Sequence, residues 1–184
     1  MKKITLFIAI TLLGAFAAQA QKYMTRNGHI WFYSHTAIED IEAHNYQVAS
    51  VIDAEKGEMV FNVLMKGFQF EKALMQEHFN EKYVESDKFP KATFKGKITN
   101  LDAIDLSQAG TYKTQVEGDL TIHGVTKPVK TEGTIEVKDG QLVASAKFQI
   151  AVADYDIKIP SVVQDNIAKV MDINVDITYE PFPN

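Results

Sequence analysis

Apolar and polar residues alternate along much of this chain, and this period of two limits its possible folds more than any other feature. The longest example places apolar residues at six successive even positions from Leu142 to Val152, with polar residues such as Ser145 and Lys147 between them. The same alternation recurs over 112–122 and 173–179. Successive side chains of a strand point to opposite faces, so each segment predicts a strand with one dry and one wet face, as in antiparallel sheets.

Turn-forming residues separate these segments. Asp139-Gly140 is a dipeptide typical of tight hairpin turns, and Lys56-Gly57 has a similar position between two other alternating runs. The stretch from His123 to Pro128 predicts a longer turn, with the next strand beginning near Val129. Together these signals predict eight strands, at 29–36, 45–54, 58–66, 92–99, 111–122, 129–138, 141–153 and 170–180.

Two segments interrupt the strand pattern. Residues 71–84 contain helix formers, no Gly or Pro, and apolar residues spaced by three and four, which predicts a short helix. Residues 161–168 predict one or two further helical turns after Pro160. The predicted fold is therefore all-β, an eight-stranded antiparallel barrel with a short inserted helix. A barrel of eight strands is either filled by its own side chains or holds one small ligand.

Apolar side chains with adaptable shapes are concentrated on two parts of the predicted barrel. Met and Phe suit a pocket for flexible apolar chains, although the same residues would also suit a close-packed core. The predicted cavity wall consists of Phe61, Val63, Met65, Phe68, Met75, Ala144, Ala146, Phe148 and Ile150.

The first 20 residues have the pattern of a signal peptide. Lys2 and Lys3 precede an apolar run over 4–16, and Ala18-Gln19-Ala20 follows as a small-x-small cleavage pattern. The run is too short for a transmembrane anchor, which needs about 20 apolar residues. We therefore expect a single mature domain over 21–184, beginning at Gln21, in the periplasm or outside the cell. The absence of cysteine excludes disulfides.

Charge excludes nucleic acid as the expected partner. The chain has 19 Lys plus Arg against 24 Asp plus Glu, and Arg26 is its only arginine. Removal of the leader leaves 17 basic against 24 acidic residues, a net charge of −7. Such a chain lacks the basic surface that phosphate backbones require.

The sequence predicts neither an enzyme nor a metalloprotein. The five histidines, at 29, 35, 44, 78 and 123, lack the close spacing of metal ligands. Asp154 and Asp156 would share a strand face, but carboxylates at a strand end are usually solvated. No G-x-S-x-G elbow and no phosphate-binding glycine loop occurs. We expect no catalytic residues, no metal and no cofactor.

Three motifs resemble those of the YceI-like family. The first motif covers 78–83 and 85–96 and contains Phe-Pro-Lys-Ala-Thr-Phe at 89–94. The second covers 116–129 and contains Gly-Asp-Leu-Thr-Ile-His-Gly-Val-Thr at 118–126. A weaker third motif, Asp-Tyr-Asp-Ile, occupies 154–157. The resemblance implies a lipocalin-like antiparallel barrel in a family whose members include periplasmic binders of polyisoprenoid chains.

Two functions remain open at this point. One is an exported carrier that sequesters a long apolar lipid, such as a polyisoprenoid or an isoprenoid quinone, inside the barrel. The other is a solid-cored periplasmic module that acts through its surface in interaction or stress response, without a ligand. The sequence does not specify an oligomeric state.

Overall fold

Eight long strands form a closed antiparallel ring in the computed structural model, which describes residues 22–183. The strands are β1 Lys22–His35, β2 Asp40–Asp53, β3 Glu58–Leu64, β4 Gln69–Phe70, β5 Lys91–Ile98, β6 Gly110–Ile122, β7 Val125–Lys138, β8 Gln141–Ala151 and β9 Val170–Pro181. Their order around the ring is β1-β9-β8-β7-β6-β5-β3-β2, and pairing of β1 with β2 closes it. The two-residue β4 pairs with β2. The predicted eight-stranded all-β barrel is confirmed.

The first two strands are longer than the sequence pattern predicts. They begin at Lys22 and Asp40, instead of 29 and 45. The pairing of β1 with β2 shifts register on both sides of Gly28. A bulge adds an unpaired residue, so the alternation that marks a strand is lost at that point although the strand continues.

The β6–β7 and β7–β8 hairpins both turn through two left-handed residues. Asp139 and Gly140 have φ values of 52° and 78°, as the Asp-Gly pair predicts. His123 and Gly124 have φ values of 51° and 78°, so the predicted longer turn at this place is wrong. Strand β7 begins at Val125 and includes Pro128. Because β7 pairs with β8 only from Gly133 onward, a proline fits in the earlier part of the strand.

The helical insertion is shorter than predicted. An α-helix, α1, covers Ala73–His78, and a π-helical turn follows over Phe79–Tyr83, where the sequence predicts one helix over 71–84. The Asn80 side chain donates to the Gln76 carbonyl oxygen at 2.8 Å, within this change of helical geometry. A 3-10 turn over Ser161–Val163 replaces the predicted turns of helix at 161–168. None of the helices within residues 22–183 combines the length and apolarity needed to cross a bilayer.

The two ends of the barrel differ. At the closed end, which contains the β2–β3 and β7–β8 turns, Ile52, Leu142, Ile177 and Tyr179 are at most 1% exposed. At the opposite end, here called the mouth, β2 begins at Asp40, β8 ends at Ala151 and β9 begins at Val170. Two chain segments lie at the mouth: the segment 65–90, which contains α1, and the segment 152–169 between β8 and β9.

Candidate functional site: an apolar cavity in the barrel

The barrel encloses a cavity of about 420 Å³. This volume lies within the range of about 300–1,000 Å³ that is typical of small-molecule sites. The wall is predominantly aliphatic and aromatic and includes side chains from all eight long strands of the ring. The barrel interior is therefore hollow, and of the two possibilities for an eight-stranded barrel this chain adopts the one with room for a ligand.

All nine side chains of the predicted cavity wall lie in the lining. Phe61 and Val63 project inward from β3, and Met65 and Phe68 follow in the short turn after that strand. Met75 comes from α1 at the mouth. Strand β8 contributes Ala144, Ala146, Phe148 and Ile150 from its inward face. Contact of these residues with a ligand stays a prediction.

An aromatic cluster fixes the helical insertion against the barrel. The ring centroid of Phe79 lies 5.7 Å from that of Phe32, 5.5 Å from that of Phe68 and 5.1 Å from that of Phe70. All four rings line the cavity. Offset and edge contacts of this kind contribute about 0.5–1.5 kcal/mol per pair beyond their burial. Phe32 was not predicted as a wall residue, because its neighbours Trp31 and Tyr33 are also aromatic and hide the alternation of inward and outward positions.

The segment between β8 and β9 covers the other side of the mouth. Its apolar residues Ile157, Ile159, Val163 and Ile167 line the cavity. The alternation of Ile157 and Ile159 around Lys158 is visible in the sequence and could have identified them as wall residues. The strand predicted over 141–153 ends earlier, at Ala151. Asp154 and Asp156 lie beyond its end: Asp154 belongs to a 3-10 turn, and Asp156 has a φ of 55°. Their predicted shared strand face is therefore wrong.

Polar groups at the two ends of the cavity differ in their surroundings. At the closed end, the Ser50 hydroxyl donates to the Val60 carbonyl oxygen at 2.9 Å and lies 2.7 Å from the Tyr179 hydroxyl. Burial raises the pKa of Tyr179, because the phenolate would be desolvated there. At the mouth, Glu39 accepts hydrogen bonds from Lys72 at 3.3 Å and from Asn166 at 3.2 Å. Glu39 thus joins the β1–β2 turn to both covering segments.

Two histidines meet on the outside of the barrel, away from the cavity. Nε2 of His29 lies 3.0 Å from Nδ1 of His44, and the His29 ring stacks on Trp31 and Tyr46. Burial, followed by the neighbouring His44, lowers the pKa of His29. This pair could not be predicted from the sequence, because it depends on the pairing of β1 with β2. Over the described residues 22–183, no three potential metal ligands come together.

The YceI-like domain family model matches residues 22–179. The chain belongs to the YceI-like family. No curated protein matches it in sequence.

Solved structures share this YceI-like fold at low sequence identity. A polyisoprenoid binding domain from Saccharophagus degradans, implicated in plant cell wall breakdown, has a TM-score of 0.77 at 13% identity, with 89% of this chain and 100% of that chain covered. BcnA of Burkholderia cenocepacia has a TM-score of 0.69 at 16% identity, with 82% and 95% covered. A mutant YCEI protein of Campylobacter jejuni has a TM-score of 0.52 at 16% identity, with both chains covered completely.

The three YceI-like motifs meet around His123. Its Nδ1 donates to the Tyr155 carbonyl oxygen at 3.1 Å, and its Nε2 lies 2.7 Å from a carboxylate oxygen of Glu85. The ring of Phe89 contacts the His123 ring edge-on, with centroids 4.6 Å apart. The motifs of this YceI-like chain therefore connect both covering segments to the β6–β7 turn.

This junction carries backbone strain and a perturbed carboxyl group. Glu85, His123 and Asp156 all have positive φ, between 45° and 55°, a conformation that residues other than Gly adopt at a cost. The hydrogen bond from His123 lowers the pKa of Glu85.

Proposed function

We propose that this protein binds one long apolar molecule, such as a polyisoprenoid or an isoprenoid quinone, inside its barrel and carries or sequesters it. The observation that carries the proposal is the apolar lining of a cavity of about 420 Å³. Each methylene buried there contributes about 0.8 kcal/mol, so a few isoprene units supply useful affinity without specific polar contacts. The polyisoprenoid binding domain with the same fold supports this choice of ligand class.

The arrangement of polar groups suggests an orientation for the ligand. Glu39, His78 and Asn166 belong to the lining and come from the segments at the mouth. A polar end group would remain hydrated beside these side chains, while the hydrocarbon chain extends toward Tyr179 at the closed end. Such binding tolerates different chain shapes and gives modest selectivity, and it requires no catalytic group, metal or cofactor.

We further propose that the protein acts in the periplasm or outside the cell. The signal peptide predicted over 1–20 supports this location and lies outside the described residues. Intact-mass measurement of the protein from the envelope fraction tests it. A mature N-terminus at Gln21, with or without cyclisation to pyroglutamate, is the expected result, and persistence of residues 1–20 contradicts export.

Lipid extraction tests the binding function. Protein purified from its own envelope fraction is extracted with organic solvent, and the extract is analysed by mass spectrometry against an equal amount of protein that has been unfolded, stripped and refolded. We expect a stoichiometric isoprenoid in the first sample and none in the second. Repeated recovery of ligand-free protein from the envelope would instead favour the surface module.

A further inference from the structure

Large apolar side chains that remain exposed are concentrated at the mouth. Of the eight exposed large hydrophobic residues in the described chain, five belong to this end of the barrel: Ile38, Leu64, Leu74, Val162 and Val170. Val162 is 87% exposed, Ile38 65% and Leu74 60%. Single exposed apolar residues are ordinary, but a group of them around one opening indicates an interaction surface.

All five directly precede a cavity-lining residue in the chain, and the three most exposed of them lie on the β1–β2 turn and on the two covering segments. Ile38 precedes Glu39, Leu74 precedes Met75 and Val162 precedes Val163, and in each pair the second residue lines the cavity. The hydrogen bonds of Glu39 to Lys72 and Asn166 bring these three segments together. These exposed apolar side chains therefore border the opening of the cavity, and we call Ile38, Leu74 and Val162 the mouth ring.

Charged residues around the mouth have both signs. Lys66 follows Leu64 by two positions, Lys72 precedes Leu74 by two, and Lys169 directly precedes Val170; all three lysines are exposed. The ammonium groups of Lys66 and Lys72 form ion pairs with Asp87 and Glu39, and lysine stems of this kind cover apolar surface while the charged end stays at the polar boundary. Glu71 and Asp165 are also exposed here. A surface with exposed charges of both signs complements zwitterionic head groups better than it complements a strongly anionic bilayer.

We propose that the mouth ring docks on a lipid bilayer, with Ile38, Leu74 and Val162 inserted at the head-group boundary, so that ligand passes between bilayer and cavity without crossing water. This inference rests on the proposed function. Passage through water would expose every methylene of a long apolar chain, and this opposes spontaneous exchange. A bilayer in contact with the mouth removes that barrier, because the chain moves from one apolar environment directly into another.

Vesicle binding tests the docking surface. The protein, with its N-terminus verified by intact mass, is floated with phosphatidylcholine vesicles, and cavity occupancy is measured separately with a fluorescent apolar probe in vesicle-free buffer. The test variant combines Ile38→Glu, Leu74→Glu and Val162→Glu. The control combines Val60→Glu, Thr111→Glu and Thr178→Glu, which add the same charge at exposed positions on the outer wall.

We expect the mouth variant to bind vesicles at least about tenfold more weakly than the parent and to retain its affinity for the probe. The control should match the parent in both measurements, and added salt should change vesicle binding little. Docking is contradicted if the parent does not float with vesicles, or if the control loses as much binding as the mouth variant. It is also contradicted if the parent is a dimer in solution and the mouth variant is a monomer, because the mouth ring would then be a contact between two copies of the chain. Failure of the parent to bind the probe would refute the proposed function itself, and this is distinguishable from a loss of docking alone.

Discussion

Gly96 and Gly118 lie directly opposite each other on β5 and β6, and the ring of Phe94 occupies the space that a side chain on either glycine would need. A Cβ on Gly118 would lie 2.7 Å from Cζ of Phe94 and 2.5 Å from Cα of Gly96. Phe94 in turn lines the cavity and contacts Phe61 edge-on, with centroids 6.1 Å apart. The two glycines therefore determine where one aromatic wall residue of the cavity lies.

Gly118→Ala should destabilise the barrel. The new methyl group meets backbone atoms of β5 as well as the Phe94 ring, so a side-chain rotation cannot relieve the contact. We expect a loss of about 1–3 kcal/mol in the free energy of unfolding, measured by urea denaturation. Gly110→Ala in the same strand is the control, because its Cβ would approach no atom closer than 3.4 Å. If the two variants unfold with equal free energies, the close approach of β5 and β6 at Gly118 does not contribute to stability.

The Ser50–Tyr179 pair should make stability sensitive to alkali. Burial raises the pKa of Tyr179 above its ordinary value of 10.0, so the folded state holds the phenolic proton more tightly than the unfolded state. Its contribution is complete below the ordinary pKa and is lost as the pH rises above it. Tyr179→Phe should cost about 1 kcal/mol at neutral pH through the lost hydrogen bond.

The same variant should respond differently at high pH. Phenylalanine has no proton to lose, so Tyr179→Phe should lose less stability than the parent once the pH exceeds about 10. Denaturant titrations of both proteins over the alkaline range provide the measurement. Parallel decline of the two stability curves would mean that Tyr179 ionises as freely in the folded protein as in the unfolded chain.

The regular parts of the fold and much of the cavity wall could be predicted from the sequence. In β8 the alternation of Ala144, Ala146 and Phe148 with polar residues is unbroken, because every second side chain faces the cavity and the rest face solvent. The Asp139-Gly140 turn follows from its local chemistry alone. Each of these features depends on residues that are close in sequence.

The features that could not be predicted depend on contacts between distant segments. The bulges around Gly28 arise from pairing with β2, and they conceal the first part of β1. The role of Glu39 requires Lys72 and Asn166 to come together at the mouth. The outward position of Trp31 could not be predicted either, since composition does not distinguish an aromatic residue in the core from one stacked on the outside of a barrel.

Glu85→Gln should weaken the His123 junction at neutral pH and not in acid. The hydrogen bond from His123 lowers the pKa of Glu85 below its ordinary value of 4.5, so this carboxylate contributes stability above that value, and the contribution is lost as the pH falls through the lower pKa of the folded state. The melting temperature of the variant should lie below that of the parent at neutral pH and approach it in acid. Glu81→Gln, at an exposed neighbouring position, is the control. If the melting temperatures of Glu85→Gln and the parent differ as much in acid as at neutral pH, the charge of Glu85 is not the cause of the difference.

The hollow interior can be tested at a single position on the cavity wall. Ala146 faces the cavity from β8, and the adjacent Lys147 faces solvent. Ala146→Trp should fill free volume, whereas the same change in a close-packed core would cost about 1–3 kcal/mol. At about 2–4 °C per kcal/mol, such overpacking would lower the melting temperature by several degrees. We expect a smaller change than this in Ala146→Trp, comparable to that in Lys147→Trp.

The most direct test of whether the barrel holds its ligand in the cavity is binding of a fluorescent apolar probe. The probe is titrated into the parent, Ala146→Trp and Lys147→Trp. The parent and Lys147→Trp should bind the probe with equal affinity, and Ala146→Trp should lose binding while remaining folded. Equal binding by Ala146→Trp would show that the probe binds elsewhere. A parent protein that binds no probe, together with marked destabilisation of Ala146→Trp, would contradict a ligand-holding cavity and favour a protein that acts through its surface.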